Sequence, residues 1–433
     1  MEKKLTRREL LKTGLAAAAG FTIVPRHVLG GPGYTPPSEQ ITRAIIGTGG
    51  MGRGHISYDI GPLLAVCDTD QNHLNLAMEM AAEKGYQNVK PYRDFREILE
   101  RRDIDLVHIP VPPHWHAAIG IAAANSGKDI WGEKPMTRTI GEGLKLVDAV
   151  QRNQRLFRVN TWWRFKDNYI GLGAPIKTVK KMIMNDMLGH PIKVYLGEIH
   201  DFEWKTYMWS GIPGLPEQPV PPELDYDMWL GPAPYKPYHV DRVHMKFRGY
   251  WDYDGGGLGD QAQHYVDPVQ YALGKDDTSP VEAEADCFEQ HPDAVQPFRK
   301  VWMRYADGCE VTIDAQMGDP MTPMFAGPKG NIWPGRPGVD SSLRCDIPDW
   351  EKKLAQLPDP EPMNTDWKEC IRNRQIFALN EQVAHRSCTM INLGKIALQT
   401  GRRLRFDPDK YRFIDDEQAN ALIDQPMRAP WQI

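Results

Sequence analysis

The stretch Ile-Thr-Arg-Ala-Ile-Ile-Gly-Thr-Gly-Gly-Met-Gly, from Ile41 to Gly52, constrains this chain more than any other. A short apolar run ends in Gly47, Gly49 and Gly52, spaced G-x-G-x-x-G, and Asp68 follows sixteen positions after the last glycine. Each part has a mechanical reason. Gly47 permits the tight turn out of a strand, and Gly49 lets backbone approach a pyrophosphate. Gly52 lets the next helix pack close to the strand, with its N-terminal N–H groups aimed at phosphates. Gly50 and Met51 complete that cradle. Asp68 closes the apolar run Leu63–Cys67, where a carboxylate accepts hydrogen bonds from an adenosine ribose. Glycine-rich turns are common, but strand, triplet and acid together point to a dinucleotide site. A carboxylate there repels a 2′-phosphate, and no Arg or Lys occurs in Thr69-Asp70-Gln71-Asn72, so NAD is expected rather than NADP.

From Arg43 to about Thr161, apolar strands alternate with helical segments. Gln71–Lys84 carries Leu74, Ala77, Met78 and Ala81 on one face, and Phe95–Arg101 is a further helix. Strands are read at Leu106–Ile109, Asp129–Trp131 and Leu156–Val159, with a helix at Ile140–Gln151. Such repeats imply right-handed crossovers and a parallel sheet covered on both faces. After Thr161 the pattern changes to strands of a mostly antiparallel sheet, open on one face. Ala306-Asp307-Gly308 is a hairpin signal within it. Asn364–Thr400 returns to helix, expected to pack back on the first domain, and an extended tail follows to Trp431. The expected fold is therefore α/β: a doubly wound Rossmann domain over residues 38–161, then an α/β domain over residues 162–433. A length of 433 residues suits two such domains.

The N-terminus stands apart. Thr6-Arg7-Arg8-Glu9-Leu10-Leu11-Lys12 is a twin-arginine pattern, and the apolar run Gly14–Val24 behind it is too short for a comfortable membrane span. Residues 1–37 are therefore expected to be an export signal and linker, which makes the protein periplasmic or otherwise exported. A net charge of -5 gives no nucleic-acid footprint. The six cysteines include no C-x-x-C pair, so no zinc site is indicated; export would allow some of them to oxidise, Cys287 with Cys309 if their strands are neighbours, and no disulfide is assigned.

Three further motifs carry chemistry. Pro112-Pro113-His114-Trp115-His116 follows a parallel strand at the edge where ligands bind in open α/β sheets. An H-x-H metal site lacks a third ligand, so no metal is expected. Glu133-Lys134-Pro135 follows the next strand, and a lysine there can bind a hydroxyl and stabilise a developing alkoxide. The third is Gly255-Gly256-Gly257 followed by Asp260, His264 and Asp267. Asp260 and His264 lie at i and i+4 on one helical face, the arrangement of a carboxylate orienting a basic imidazole. Pro268 should kink that helix.

The motifs G-x-G-x-x-G, P-x-x-x-H, E-K-P and G-G-G-x-x-x-D-x-x-x-H-x-x-D, in this order, resemble the Gfo/Idh/MocA family of NAD(P)-dependent oxidoreductases. The resemblance implies Lys134 as catalytic lysine and His264 as general base with Asp260 as its partner. It implies His116 near the nicotinamide with Pro112 and Glu133, and Arg164 and Trp163, at the domain crossover, near the substrate. Pro113 departs from the family, where a polar Asn is usual. The resemblance also implies a homo-oligomer, a dimer or tetramer, formed through the open sheet. The expected function is hydride transfer between a carbohydrate carbon and a retained NAD, the aromatics Trp204, Tyr207, Trp209, Trp229, Tyr250 and Trp251 either stacking on sugar faces or filling the interdomain gap. The alternatives are a glycoside hydrolase or lyase working through transient oxidation, whose known forms lack D-x-x-x-H, and a binding module with a vestigial nucleotide site.

Overall fold

The computed structural model describes residues 36, 39–161, 164, 176–200, 202–333 and 343–433. The twin-arginine stretch, the apolar run behind it and Trp163 lie outside the described residues. Contacts divide the chain into Met1–Ile41 and Thr42–Ile433, and the architecture is that of the second unit.

Its first sheet has six strands in the order β3-β2-β1-β4-β5-β6. They are β1 (Arg43–Ile46), β2 (Leu63–Cys67), β3 (Lys90–Tyr92), β4 (Leu106–Ile109), β5 (Asp129–Gly132) and β6 (Phe157–Val159). Every pairing is parallel. β1, β4, β5 and β6 are buried along their whole length, as strands covered on both faces must be. The order reverses between β1 and β4, and the ligand crevice of such sheets opens at that point. The first helix, Gly50–Ile56, is fixed from behind by the buried Arg43, which donates to the carbonyls of His55 (2.9 Å) and Ile56 (3.0 Å). A guanidinium at a helix C-terminus satisfies carbonyls that the helix leaves over.

The second sheet has nine strands among the described residues, in the order β13-β12-β11-β7-β10-β9-β8-β14-β15. They run from β7 (Lys193–Gly197) through β8 (Glu282–Cys287), β9 (Phe298–Arg304) and β10 (Glu310–Asp314) to β11 (Phe325–Gly327), β12 (Gly330–Trp333) and β13 (Arg344–Cys345), with β14 (Leu404–Asp407) and β15 (Arg412–Phe413) last. All neighbours are antiparallel except β7 with β10. Burial alternates along β9, where Val301 and Met303 face the helices and Trp302 faces away. Helices Gly256–Leu273 and Glu381–Thr400 cover one face, and Glu381–Thr400 also packs on Ile140–Arg152 and β6 of the first half.

One expectation needs correction. The tail after Gly401 is not simply extended: β14 pairs with β8 and turns into β15, because Leu404 and Phe406 have apolar faces to bury. Pro268 lies inside the helix Gly256–Leu273, which continues beyond it. All six cysteines are free thiols.

Candidate active site

One cleft collects most of the motifs. It is lined by Gly47, Gly49, Gly50 and Met51 of the glycine turn, by Asp68 at the end of β2, by Pro112 and Pro113 after β4, and by Glu133 and Lys134 after β5. Trp229, Arg248, Asp254 and Asp260 close it from the second half.

The glycine turn is built as its spacing implies. Gly47 has φ +95°, in the left-handed region that suits glycine. A Cβ at Gly52 would lie 2.9 Å from the Gly47 carbonyl carbon and overlap its oxygen, so this helix start touches the strand end directly. At Gly49 and Gly50 nothing lies within 4 Å of a Cβ position, which leaves that face open to a ligand. Asp68 Oδ2 accepts from the Thr48 N–H (2.6 Å) and hydroxyl (3.1 Å), and Oδ1 accepts from the Asp70 N–H (2.9 Å). Burial alone would raise this carboxyl, but His73 and those two N–H groups outweigh it and hold it below the usual carboxylate range. The carboxylate is therefore ionised and fixed in direction, as ribose recognition requires. A bare loop beside an oriented carboxylate fits a dinucleotide. The cations nearby come from elsewhere in the sequence: Arg53 and Arg93 line the same cleft. Arg93 is spent on the Thr69 carbonyl (2.6 Å) and Gln71 Oε1 (3.1 Å).

Lys134 is held at the other end. Its Nζ donates to the Asp260 carbonyl oxygen (2.5 Å) and to Asp260 Oδ1 (2.9 Å). Oδ1 also accepts from Arg248 Nε (2.7 Å), and Oδ2 accepts from Gln261 Nε2 (2.6 Å). Burial opposes ionisation of Asp260, yet Lys134 and Arg248 hold it well below the usual carboxylate range. This corrects the pairing expected from i, i+4 spacing: Asp260 orients the lysine, while His264 Nδ1 lies 3.1 Å from the Thr161 hydroxyl. Burial and then the Lys134 charge push the His264 imidazole down to about 3, so it is neutral. Gln263, between them, accepts from the Met136 N–H (2.8 Å) and donates to the Ala384 carbonyl (2.9 Å), tying the Lys134 loop to the helices behind.

Other expected residues sit differently. His116 sets its ring nitrogens against the carbonyls of Pro135 (2.7 Å) and Val111 (2.8 Å), so it fastens the two cleft loops together rather than facing the cleft. His114 Nε2 likewise meets the Trp229 carbonyl (3.0 Å). Arg164 is buried against Asp267 (2.8 Å) and Asp276 (2.6 Å), and its donors serve that ion pair instead of a substrate. The triple glycine admits protein rather than ligand: Cβ atoms there would meet the Lys395 side chain, Val295 and the Trp204 carbonyl. Trp204, Tyr250 and Trp251 are buried in packed clusters, Tyr207 is 73% exposed, and Trp229 alone of the six named aromatics lines the cleft.

Sequence reading included Glu133 but missed the groups that hold it, and Arg248. Glu133 Oε1 accepts from His55 Nε2 (2.8 Å) and Asn160 Nδ2, which locks the strand end before Lys134. Arg248, on Asp260, belongs to the short 3-10 helix His244–Gly249 within the Pro- and aromatic-rich stretch Trp204–Tyr253. The same stretch reaches the far end of the cleft. Gln71 N–H donates to the Glu223 carbonyl (3.0 Å), Asp225 N–H to the Thr69 carbonyl (2.9 Å), and His244 Nε2 lies 3.3 Å from Asp70 Oδ2. Asp70, His73 and His244 bring three potential metal donors within 4.8 Å, as do His190, Asp307 and Cys309. Their partners, including the helix N-terminus that Asp70 caps and the Lys275–Asp307 ion pair, already account for those positions.

Fold and cleft together define a dinucleotide-binding oxidoreductase. The NAD-binding Rossmann domain of the oxidoreductase family matches residues 41–161, and that family's C-terminal alpha/beta domain matches residues 172–433. The chain belongs to the Gfo/Idh/MocA oxidoreductase family, and its cofactor is NAD. A glycosyl hydrolase family 109 protein of Shewanella pealeana is 28% identical over 224 residues, 47% of this chain and 48% of that protein. The chain thus spans about half the length of the curated relatives it matches. Among solved structures, the WlbA dehydrogenase of Bordetella pertussis, in complex with NADH and UDP-GlcNAcA, superposes with a TM-score of 0.56 at 19% identity. It covers 85% of this chain and 99% of its own. The aldose-aldose oxidoreductase of Caulobacter crescentus, complexed with glycerol, gives 0.53 at 16%, covering 85% and 100%. At these identities the likeness is one of fold.

Proposed function

We propose that this protein oxidises and reduces carbohydrate CH–OH groups with an NAD that it retains between turnovers. The observation that carries the reading is Lys134, pinned by Asp260 at the mouth of β5 in the cleft that holds the glycine turn. When bound, NAD supplies the acceptor and donor of hydride. The chain's own residues do the rest. Lys134 binds the reacting hydroxyl and balances negative charge growing on its oxygen. His264, neutral, offers a hydrogen-bond acceptor to the hydroxyl proton. Arg248 and Asp260 keep the lysine in place. Both cleft ends carry groups from the Trp204–Tyr253 stretch, which favours retention of the nucleotide. Export by the twin-arginine route would suit such an enzyme, since a retained cofactor needs no external pool. The uncovered face of the second sheet is the surface we assign to self-association.

A second reading, redox-assisted cleavage of a glycosidic bond, is favoured by the 28% identity to glycosyl hydrolase family 109 proteins. One experiment separates the two. The purified protein, with no nucleotide added, is incubated with a panel of sugars and aryl glycosides. Keto-sugar formation without release of aglycone supports the oxidoreductase; stoichiometric aglycone release refutes it in favour of cleavage. Denaturing the protein should liberate NAD(H), and finding none or mainly NADP overturns cofactor retention.

A further inference from the structure

Glu133, one residue before Lys134, is held from inside the fold by two imidazoles in series. His55, in the last turn of the helix that follows the glycine turn, meets Glu133 Oε1 through Nε2 (2.8 Å). Its other nitrogen, Nδ1, lies 3.1 Å from Nδ1 of His108 on β4. Asn160, just past β6, also donates to Oε1. Both rings are fully buried, and neither lines the cleft. Trp131, the neighbour of His108 in register on β5, stacks on it with ring centroids 5.0 Å apart and planes 22° from parallel. Packing therefore fixes the plane of the inner ring, and His55 bridges it to the carboxylate.

The protons in this chain of groups have one direction. Two ring nitrogens 3.1 Å apart face each other, so one carries a proton and the other accepts it. Burial above all keeps the His108 imidazole well below its usual range, so His108 has a single N–H. With that proton on Nδ1, His108 donates to His55 Nδ1, and His55 keeps its own proton on Nε2 for the Glu133 carboxylate. The atom left over is the lone pair of His108 Nε2, and of the four nitrogens of the two rings this one alone lacks a partner among the described residues. The opposite polarity strands an N–H there, a buried donor with no acceptor.

We propose that His55 is a positioning residue for Lys134: in the Nε2–H tautomer that His108 imposes, it fixes the Glu133 end of β5 and so the point from which the lysine enters the cleft. The inference rests on the reading of Lys134 as the group that binds the reacting hydroxyl. Because His55 belongs to the helix that carries the glycine turn, the same contact sets the lysine in register with the cofactor loop.

The test uses the full-length, cofactor-loaded protein as wild type, His55→Leu and His55→Gln, since Gln offers a donor to Glu133 and an acceptor to His108. Nitrogen-15 spectra of the histidine-labelled protein should show one ring as Nδ1–H, missing from His108→Gln, and one as Nε2–H, missing from His55→Gln. The reverse assignment overturns the polarity. Amide exchange read by mass spectrometry needs no substrate. Residues 132–136 should exchange about 10–10²-fold faster in His55→Leu, the loss of one bond to a charged group. They should return near the wild-type rate in His55→Gln, with residues 63–67 of β2 unmoved in both. Equal exchange at 132–136 in all three proteins, or a matching rise at 63–67, overturns the positioning role. Turnover in His55→Leu should fall roughly 10–10²-fold at unchanged KM and recover in His55→Gln. Added to Lys134→Ala, His55→Leu should cost less than about twofold more. Full turnover in His55→Leu, or losses that multiply with those of Lys134→Ala, break the link. Should His55→Leu not fold, His108→Phe removes only the donor that sets the tautomer; it should speed exchange at 132–136, and an unmoved rate overturns the proposal. The expected exchange pattern with inactivity on every sugar refutes the substrate class and leaves the His55 contact standing.

Discussion

Replacing Gly52 with Ala tests the nucleotide cradle where it has least slack. The added methyl meets the Gly47 carbonyl, which is backbone on the neighbouring strand end and has no rotamer to yield. Relief requires helix start and strand end to part by roughly 1 Å, more than the ~0.5 Å window over which an N–H···O bond keeps its strength. Overpacking of this kind costs about 1–3 kcal/mol of stability. Each misaligned N–H to a charged phosphate forfeits a further ~1.5–3 kcal/mol of binding. Two such bonds amount to about 3–6 kcal/mol, or roughly 10²–10⁴-fold in NAD affinity. The control is two residues away. Gly54 is in the same helix with nothing within 4 Å of its Cβ position, so Gly54→Ala should be neutral or stabilising by up to ~1 kcal/mol. The assays are urea unfolding and the NAD content of the denatured supernatant. Gly52→Ala with wild-type NAD and stability would refute the argument, as would equal losses in Gly54→Ala.

Asp68→Ala should weaken NAD binding by a few kcal/mol at most and relax discrimination against NADP, with Arg53 and Arg93 close by; unchanged NADP binding in a titration would remove the ribose role. Lys134→Ala should slow turnover about 10²–10³-fold with NAD still bound. Asp260→Asn should approach the same loss, and the double variant should be no worse than the lysine change, since both act through one ammonium; independent, multiplying effects in steady-state kinetics would break the link. Acid stability follows from His114, His264 and His385, each held down to about 3 by burial first. Their folded values are depressed, so the neutral ring is favoured in the fold. That stability is present above the unfolded value near 6.5 and is lost as pH falls towards 3, by up to ~1.4 kcal/mol per pH unit for each ring. A flat unfolding free energy between pH 6.5 and 4 would contradict this.

The parts of the site that sequence made legible are local ones. Gly47, Gly52 and Asp68 belong to a turn and two adjacent strands, and short-range spacing determines where they go. Lys134 follows from the rule that parallel strands deliver ligand groups at their C-terminal ends. Asp260 was misjudged because helical spacing reports which residues share a face, not which tertiary partner reaches that face first. A lysine 126 residues earlier and an arginine on a short 3-10 helix took the carboxylate. Arg164 failed for a related reason: Asp267 and Asp276 captured it in the second half's interior.

The stretch that ties Glu223 and Asp225 to the loop after Asp68 also has a kinetic meaning. Where groups from both halves of a protein bound one groove, parting of the halves widens the way out for a ligand. Residence time then depends on local opening of the protein as well as on its contacts with the ligand. On the proposal that NAD is retained, loosening Glu223–Asp225, remote from Lys134, should speed its exchange.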